Sequence, residues 1–304
     1  MPISNYPNGF SGGVSVRGLP VLNTYGGNVF WVHSVLGSDG NPGTQNQPFA
    51  TIDYAIGRCT ASQGDMVMVK AGHVETLAAN ITMDVIGVQV IGLGHGTIRP
   101  TITVGVFDGT VAMTAASSVM SNIRFVLEAT DDTVTSCFTI TADGCIVDSC
   151  ETVVHATAQF TTHLTATDAQ FVEITNNKFR SLHTASSTSG VVVDGCDDLV
   201  MIGNLIDGHF TEHALDNTTP ASCDEILRAV ISHNYIQNRS ATAGDLAVEL
   251  DAAATGIFEH NSIIGGLATI AANADIGNMC NIQSYVSDSS GVDIYGLQLG
   301  TVAA

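Results

Sequence analysis

Between residues 81 and 264 the chain is written in short runs in which every second residue is apolar, and the runs end in Gly, Asn or Asp. "FVEITNNKF" at 171–179, "LVMIGNLI" at 199–206, "AVISHNYI" at 229–236 and "GIFEHNSII" at 256–264 are versions of one phrase. Aligned on its alternating pair Val172/Ile174, the phrase recurs at Val88/Val90, Ser118/Met120, Cys145/Val147, Leu199/Met201, Ala229/Ile231 and Gly256/Phe258. The steps along this ladder are 30, 27, 27, 27, 30 and 27. A second pair runs beside it at Ile81/Met83, Val111/Met113, Phe138/Ile140, Leu164/Ala166, Val191/Val193, Ala221/Cys223 and Val248/Leu250, in steps of 30, 27, 26, 27, 30 and 27. Two separately aligned ladders that lengthen together define an internal repeat of about 27 residues.

Period two predicts strands, because helices would place their apolar residues at three, four and seven. A unit of two or three such strands cannot enclose a core, whereas stacked units bury a continuous one. The expected fold is therefore an all-β solenoid whose seven visible coils make a rod of roughly 35 Å at about 4.8 Å per strand. Between the ladders sits a corner read as Asp84, Thr114, Thr141, Thr167, Asp194, Asp224 and Asp251, residue types whose side chains bond nearby turn amides. Beyond the other ladder stand Asn177, Asn204, Asn234 and Asn261, whose amides can bond up and down the rod.

Both ends of such a rod need covers. "QPFATIDYAIGRC" at 47–59 places Phe49, Ile52, Ile56 and Cys59 on one face of a capping helix with Pro48 in its first turn, and "QGDMVMVKAGHVET" at 63–76 opens the first coil. At the far end "GVDIYGLQLGTVAA" reads as one more strand, able to close the rod or to pair with a neighbouring chain. The chain thus divides into an N-terminal arm at 1–29, an opening strand and capping helix at 30–62, the rod at 63–285 and a C-terminal strand at 286–304.

Composition narrows the function. Hydrophobic residues are 45% of the chain and charged ones 12%, which excludes a disordered protein. Twenty-nine acidic against nine basic residues give a net charge of −20, a field that repels nucleic acid and anionic lipid, so neither nucleic acid nor membrane is expected as a partner. The same field opposes an acidic polysaccharide unless a local basic spot or a bound cation overrides it. Seven cysteines without a CxxC pair read as buried apolar residues of a protein made in a reducing cytoplasm, with no disulfides. The start "MPISNYPNGF" carries no secretory pattern, and no apolar run attains the roughly 18 residues that a membrane-spanning helix requires.

"GSDGNPGTQNQPFATIDYAIGRC" followed by "GDMVMVKAGHVET" resembles the opening of right-handed parallel β-helix proteins of the pectate-lyase-like superfamily, in which a short amphipathic helix caps the first coil. The segment before it, "ISNYPNGFSGGVSVRGLPVLN", is similar to the leader of bacteriophage virion proteins. This resemblance implies a non-enzymatic capsid-decoration, cement or head-fibre protein, a homotrimer on the capsid surface with the major capsid protein or another virion protein as partner. The leader supports a docking role in its own right. Tyr6, Pro7, Phe10, Val14, Val16, Leu19 and Pro20 are too apolar for a free tail, while its glycines oppose a helix. An extended arm seated on another surface is one reading, with Arg17 suited to a carboxylate there; a strand lying along the protein's own rod is the other.

The superfamily includes polysaccharide lyases and hydrolases, so a tailspike-like depolymerase or a spike that binds host glycan is the competing function. Its chemistry is not assembled in the sequence. Gly94-His95-Gly96 precedes Asp197/Asp198, the reverse of the polygalacturonase-like order, Asp131/Asp132 stands alone, and no Arg-Ile-Lys follows. Arg124 and Lys178 read as solvated charges near strand ends, and Glu173, Asp194, Asp224, Glu225, Glu249 and Asp251 offer carboxylates with nothing to select a pair. "HFTEH" at 209–213 matches a zinc-peptidase pattern but lies in a loop too short for the helix it needs. His233 and His260 fall one coil apart beside the Asn ladder, and His73 and His95 have no evident partner. "GLGHGT" lacks the Lys of a phosphate cradle, so no catalytic residue, metal or cofactor is assigned.

Overall fold

The computed structural model describes residues 27–287 apart from 105–109, 129–132, 156–157, 182–186, 218–224 and 268–272, together with the strand segments 14–16, 19–21 and 296–297. The described chain winds through three long sheets. Each coil lays one short strand in the first sheet, turns, lays one in the second, and then crosses to the third. The first sheet runs from Val29–Val32 to Cys280–Ile282, the second from Val74–Leu77 to Gly296–Leu297, and the third from Ile81–Met83 to Ala274–Asp275. Neighbouring strands are parallel throughout, except where Gly296–Leu297 runs antiparallel to Tyr285–Val286 and ends the second sheet. The described part of the C-terminal segment, Gly296–Leu297, thus pairs within its own chain.

The repeat read from the sequence is the register of the first sheet. Val90, Met120, Val147, Ile174, Met201, Ile231 and Phe258 pair in that order and are buried, because period two turns one side of every strand inward. The third sheet follows the second ladder as far as Val193. There the expectation fails: Val191 pairs with Leu215, and Leu215 with Val248, so the sixth rung is Leu215/Asn217 and not Ala221/Cys223. The steps are 24 and 33 in place of 30 and 27, with the same total. A polar residue at an inward position disguised the rung. Buried Asn217 donates to the Val193 carbonyl at 2.7 Å and accepts from the Asp251 amide at 3.3 Å. Ala221, Cys223 and Asp224 lie outside the described residues.

The second sheet was not resolved as a ladder in the sequence. Thr101, Arg124, Glu151, Lys178, Leu205, Tyr235, Ser262 and Tyr285 pair in turn along it. Arg124 and Lys178 thus open strands of their own, where they were read as lying near strand ends. Its inward residues include Ile102, Phe125, Phe179, Ile206 and Ile236, and Phe125 meets Phe138 of the third sheet edge to face at 5.0 Å.

The corner between the first and second sheets is bonded as expected. Asn177, Asn204 and Asn234 each donate to the carbonyl oxygen of the next, Asn204, Asn234 and Asn261, at 3.0–3.1 Å. The same oxygens accept the backbone amides of Asn177, Asn204 and Asn234 at 2.9–3.0 Å. Every amide also donates to a strand carbonyl, those of Val147, Ile174, Met201 and Ile231, at 2.7–2.8 Å. At the opposite corner Asp251 bonds its own turn, at the Ala253 amide, while the caps from Asp143 and Asp197 come from side chains one coil away.

The capping helix is shorter than the pattern suggests. It spans Ile52–Ile56, and Pro48 and Phe49 precede it, with Phe49 bridged to Val32. Phe49, Ile52 and Ile56 are buried over the end of the first coil. The first coil holds the helix by its exposed N–H groups: Glu75 accepts the Ile52 amide at 3.1 Å and His73 Nε2–H at 3.0 Å. His73 Nδ1 in turn accepts the Ser34 amide at 3.0 Å, so this buried imidazole has the partners that the sequence did not reveal. Cys137, Cys145, Cys150 and Cys196 are buried and free, whereas Cys280 is exposed.

Candidate functional site

Most of the polar groups singled out in the sequence belong to the scaffold. Asp197 and Asp198 both bind Arg228, at 3.2 and 2.7 Å, and that guanidinium holds the Asp198 carboxyl below the usual range. His209 and His213 do not converge. Phe210 between them bridges to Ser187, and His213 turns away to meet Glu249 at 2.7 Å with its other nitrogen accepting the Leu246 amide. His233 and His260 stack at 4.9 Å, 16° from parallel, one held by Ser232 and the other by Gln283. Among the described residues no cluster of His, Cys, Asp and Glu is arranged to hold a metal ion.

One carboxylate row does emerge. Asp216, Glu249 and Asp275 occupy the same position on successive third-sheet strands, and Asp216 is fully buried beneath Ser189. Burial pushes the Glu249 carboxyl up, His213 opposes that, and Asp216 and Asp275 add to it. Asp216 was not singled out in the sequence because its rung was misplaced.

A cleft of about 450 Å³ opens at the corner between the first and second sheets in the earlier coils. The corner carries extra chain here: the step from Ile91 to its first-sheet partner Ser121 is 30, but that from Thr101 to its second-sheet partner Arg124 is only 23. The loop before Thr101 accommodates the difference, and it brings His95 and Arg99 to the cleft rim. Gly94 has φ +96° there, and a Cβ on it would stand 3.0 Å from Ala71, so the loop depends on that glycine. The Gly-His-Gly segment therefore lines a cleft, although the aspartates expected with it lie elsewhere.

Arg99 crosses two coils to reach Glu151 at 3.3 Å and the Ser149 carbonyl. Its side chain is 14% exposed, and its Nε is buried without a hydrogen-bond partner, as is that of Arg124 at 4.0 Å from Glu151. Lys178, next to Glu151 in the second-sheet register, also lines the cleft, exposed and with no ion pair among the described residues. Asp148 behind the wall accepts from Ser121, Thr175 and Asn176 at 2.8–3.1 Å. Burial opposes its charge, but those hydrogen bonds outweigh burial and hold its carboxyl below the usual range.

The docking residues fall mostly beyond this description. Tyr6, Pro7, Phe10 and Arg17 lie outside the described residues. Val14–Val16 pairs antiparallel with Leu19–Val21, Val14 opposite Val21 and Val16 opposite Leu19, in a two-stranded sheet separate from the three sheets of the rod.

No family model matches the chain, and no curated protein sequence matches it. Solved structures with a similar course include a rhamnogalacturonan lyase, at 13% identity and TM-score 0.42 over 86% of this chain and 88% of that one. The GH136 lacto-N-biosidase from Eubacterium ramulus is similar at 11% identity and TM-score 0.27, over 85% and 67%. The Streptococcus pneumoniae surface adhesin PfbA is similar at 11% and 0.31, over 78% and 86%. The three parallel sheets make the chain a β-solenoid with carbohydrate-active and adhesin chains among its structural neighbours.

Proposed function

We propose that the chain is a non-enzymatic structural component of a bacteriophage particle: a capsid-decoration, cement or head-fibre rod, trimeric on the capsid surface and held there by its N-terminal segment. The observation that carries this reading is the antiparallel pair Val14–Val16 and Leu19–Val21, which shares no sheet with the rod. A two-stranded hairpin is marginal alone in water, so one with this apolar sequence is suited to a partner surface, here the major capsid protein or another virion protein. The rod supports a mechanical role. Asp197, Asp198, His213, Glu249, His233 and His260 are engaged in ion pairs and stacking, and its strands bond along the axis into one stiff body.

Deletion of residues 1–22 tests the anchor. The truncated rod is expected to keep its circular dichroism and melting temperature and to lose binding to virions that lack the protein. Unchanged occupancy would place docking elsewhere. A tailspike-like depolymerase or glycan-binding spike is the competing reading, favoured by the cation-lined cleft; shortening of host surface polysaccharide on incubation with the protein would replace the structural reading with that one.

A further inference from the structure

We propose that copies of this chain meet through the outer face of the first sheet, three rods standing parallel with that face turned to a common axis. The inference rests on the trimeric part of the proposed function and is independent of how the rod is anchored. Each of the ten strands of this sheet turns two side chains outward, and thirteen of those twenty are apolar. One outward row runs along the rod through Met66, Val119, Ile146, Val200, Val230 and Ile257, interrupted by Gln89 and Glu173. The row beside it is apolar toward its ends, at Trp31, Met68 and Ile91 in the first coils and at Ile202 and Ile282 in the later ones. Ile202, Ile257 and Ile282 remain 37–40% exposed, so among the described residues nothing covers this part of the stripe. Continuous apolar surface of this extent marks a contact with another protein.

Charge and area select a second copy as the occupant. Chains that each carry a net charge of −20 repel one another, so they can associate only where charge is scarce. On the second sheet Arg124, Glu151 and Lys178 follow one another outward, and on the third Glu249 and Asp275 are neighbours. On the first, Asp148, Glu173 and Glu259 carry the charge of all twenty positions, and Asp148 is already turned to three donors. Ten strands with outward stretches of three or four residues give a footprint of roughly 45 by 13 Å, about 600 Å² on each copy. Two facing copies then cover about 1,200 Å², within the range of specific interfaces. The same face of another rod matches this stripe in length and in scarcity of charge. Closed symmetry about an axis along the rods puts equal residues at equal heights, which brings exposed Cys280, next after Ile257 in its row, close to its own copies.

The test is sedimentation equilibrium of the full chain, with a mass of three chains expected. Ile202→Glu and Ile257→Glu should each raise the dissociation constant at least about a hundredfold, because each sets a carboxylate against its own copies, while circular dichroism stays that of the folded rod. Ser262→Glu, exposed on the outer face of the second sheet, should leave the mass unchanged. Cross-linking of the native chain keeps the test decisive if the glutamate variants fail to fold: a short bis-maleimide should join native chains and should not join those of Cys280→Ser. A monomeric native chain would overturn this inference together with the trimeric reading, and would leave the stripe to a virion protein or to the chain's own N-terminal segment. A trimer that persists in both folded glutamate variants, or that is not joined through Cys280, would overturn this inference alone.

Discussion

The corner between the first and second sheets is built twice on one backbone. Asn122, Ser149, Asn176, Gly203, His233, His260 and Gln283 all take the left-handed conformation there, with φ between 50° and 70°. The residue that follows each is buried, but its identity changes along the rod: Ile123 and Cys150 in the earlier coils, then Asn177, Asn204, Asn234 and Asn261, and last Ser284. In the later coils amides bond from coil to coil, and the left-handed positions carry the stacked imidazoles of His233 and His260 and then Gln283. In the earlier coils the ladder stops at the Cys150 amide, an inserted loop crosses the corner, and cations collect around a cleft. Regular repetition rigidifies the rod, and ligand chemistry is concentrated where the repetition is interrupted.

The largest effect is expected from breaking the ladder at its centre. Asn204→Leu removes the acceptor of the Asn177 amide and side chain and the donors to Ile174 and Asn234, in a site closed to water. Orphaning several buried polar groups at roughly 1–3 kcal/mol each should cost about 5 kcal/mol. Denaturant unfolding monitored by circular dichroism measures it; a loss below about 1 kcal/mol would show that the amides fill space without holding the coils together.

A second buried polar group should respond to acid, which the amides cannot do. His163 lies inside the rod among Phe160, Phe179 and Phe210, bonded to Thr152 at 2.7 Å and Ser187 at 3.3 Å. Burial pushes its pKa down to about 3. Above pH 6.5 the imidazole is neutral in folded and unfolded chains alike. Between about 6.5 and 3 the unfolded chain binds the extra proton, so stability falls with pH at about 1.4 kcal/mol per unit, and the loss levels off below about 3. Near pH 3.5 this single group should cost about 4 kcal/mol. The stability difference between the native chain and His163→Gln, measured across that range, isolates the slope; parallel curves would refute it.

How much of this could be read in the sequence depended on side-chain type. The first sheet was legible because Val90, Val147, Ile174 and Ile231 are apolar at fixed spacing, and the four asparagines because identical residues recur beside them. The second sheet was hidden: its strands begin with the charged residues Arg124, Glu151 and Lys178, and their inward positions read Phe125, Thr152 and Phe179, so a polar residue breaks the apolar pattern. Leu215/Asn217 escaped because an inward Asn looks like a turn, and Ala221/Cys223 mimicked the missing pair. The cleft was legible only as a spare Gly-His-Gly. Arg99 is 52 residues from Glu151, a separation that only the stacked coils convert into contact.

The smallest effect is the sharpest test of the two-halves comparison. Cys150 occupies the corner position at which the ladder stops, and its thiol already points at the Met120 carbonyl, 3.7 Å away. Asn177, one coil on, donates to the Val147 carbonyl in the equivalent way at 2.8 Å. If the backbone is the same in both halves, Cys150→Asn should extend the ladder by one rung. The new amide would donate to Met120 and to the oxygen of Asn177, replacing a weak thiol donor by a strong one at a site of similar volume. The net change in unfolding free energy should then stay within about 1 kcal/mol of zero, because the added hydrogen bonds offset the burial of a more polar group. A loss of about 3 kcal/mol or more would mean that the earlier coils differ from the later ones in backbone as well as in side chains, and that the cleft is imposed by the fold rather than by the loop that crosses it.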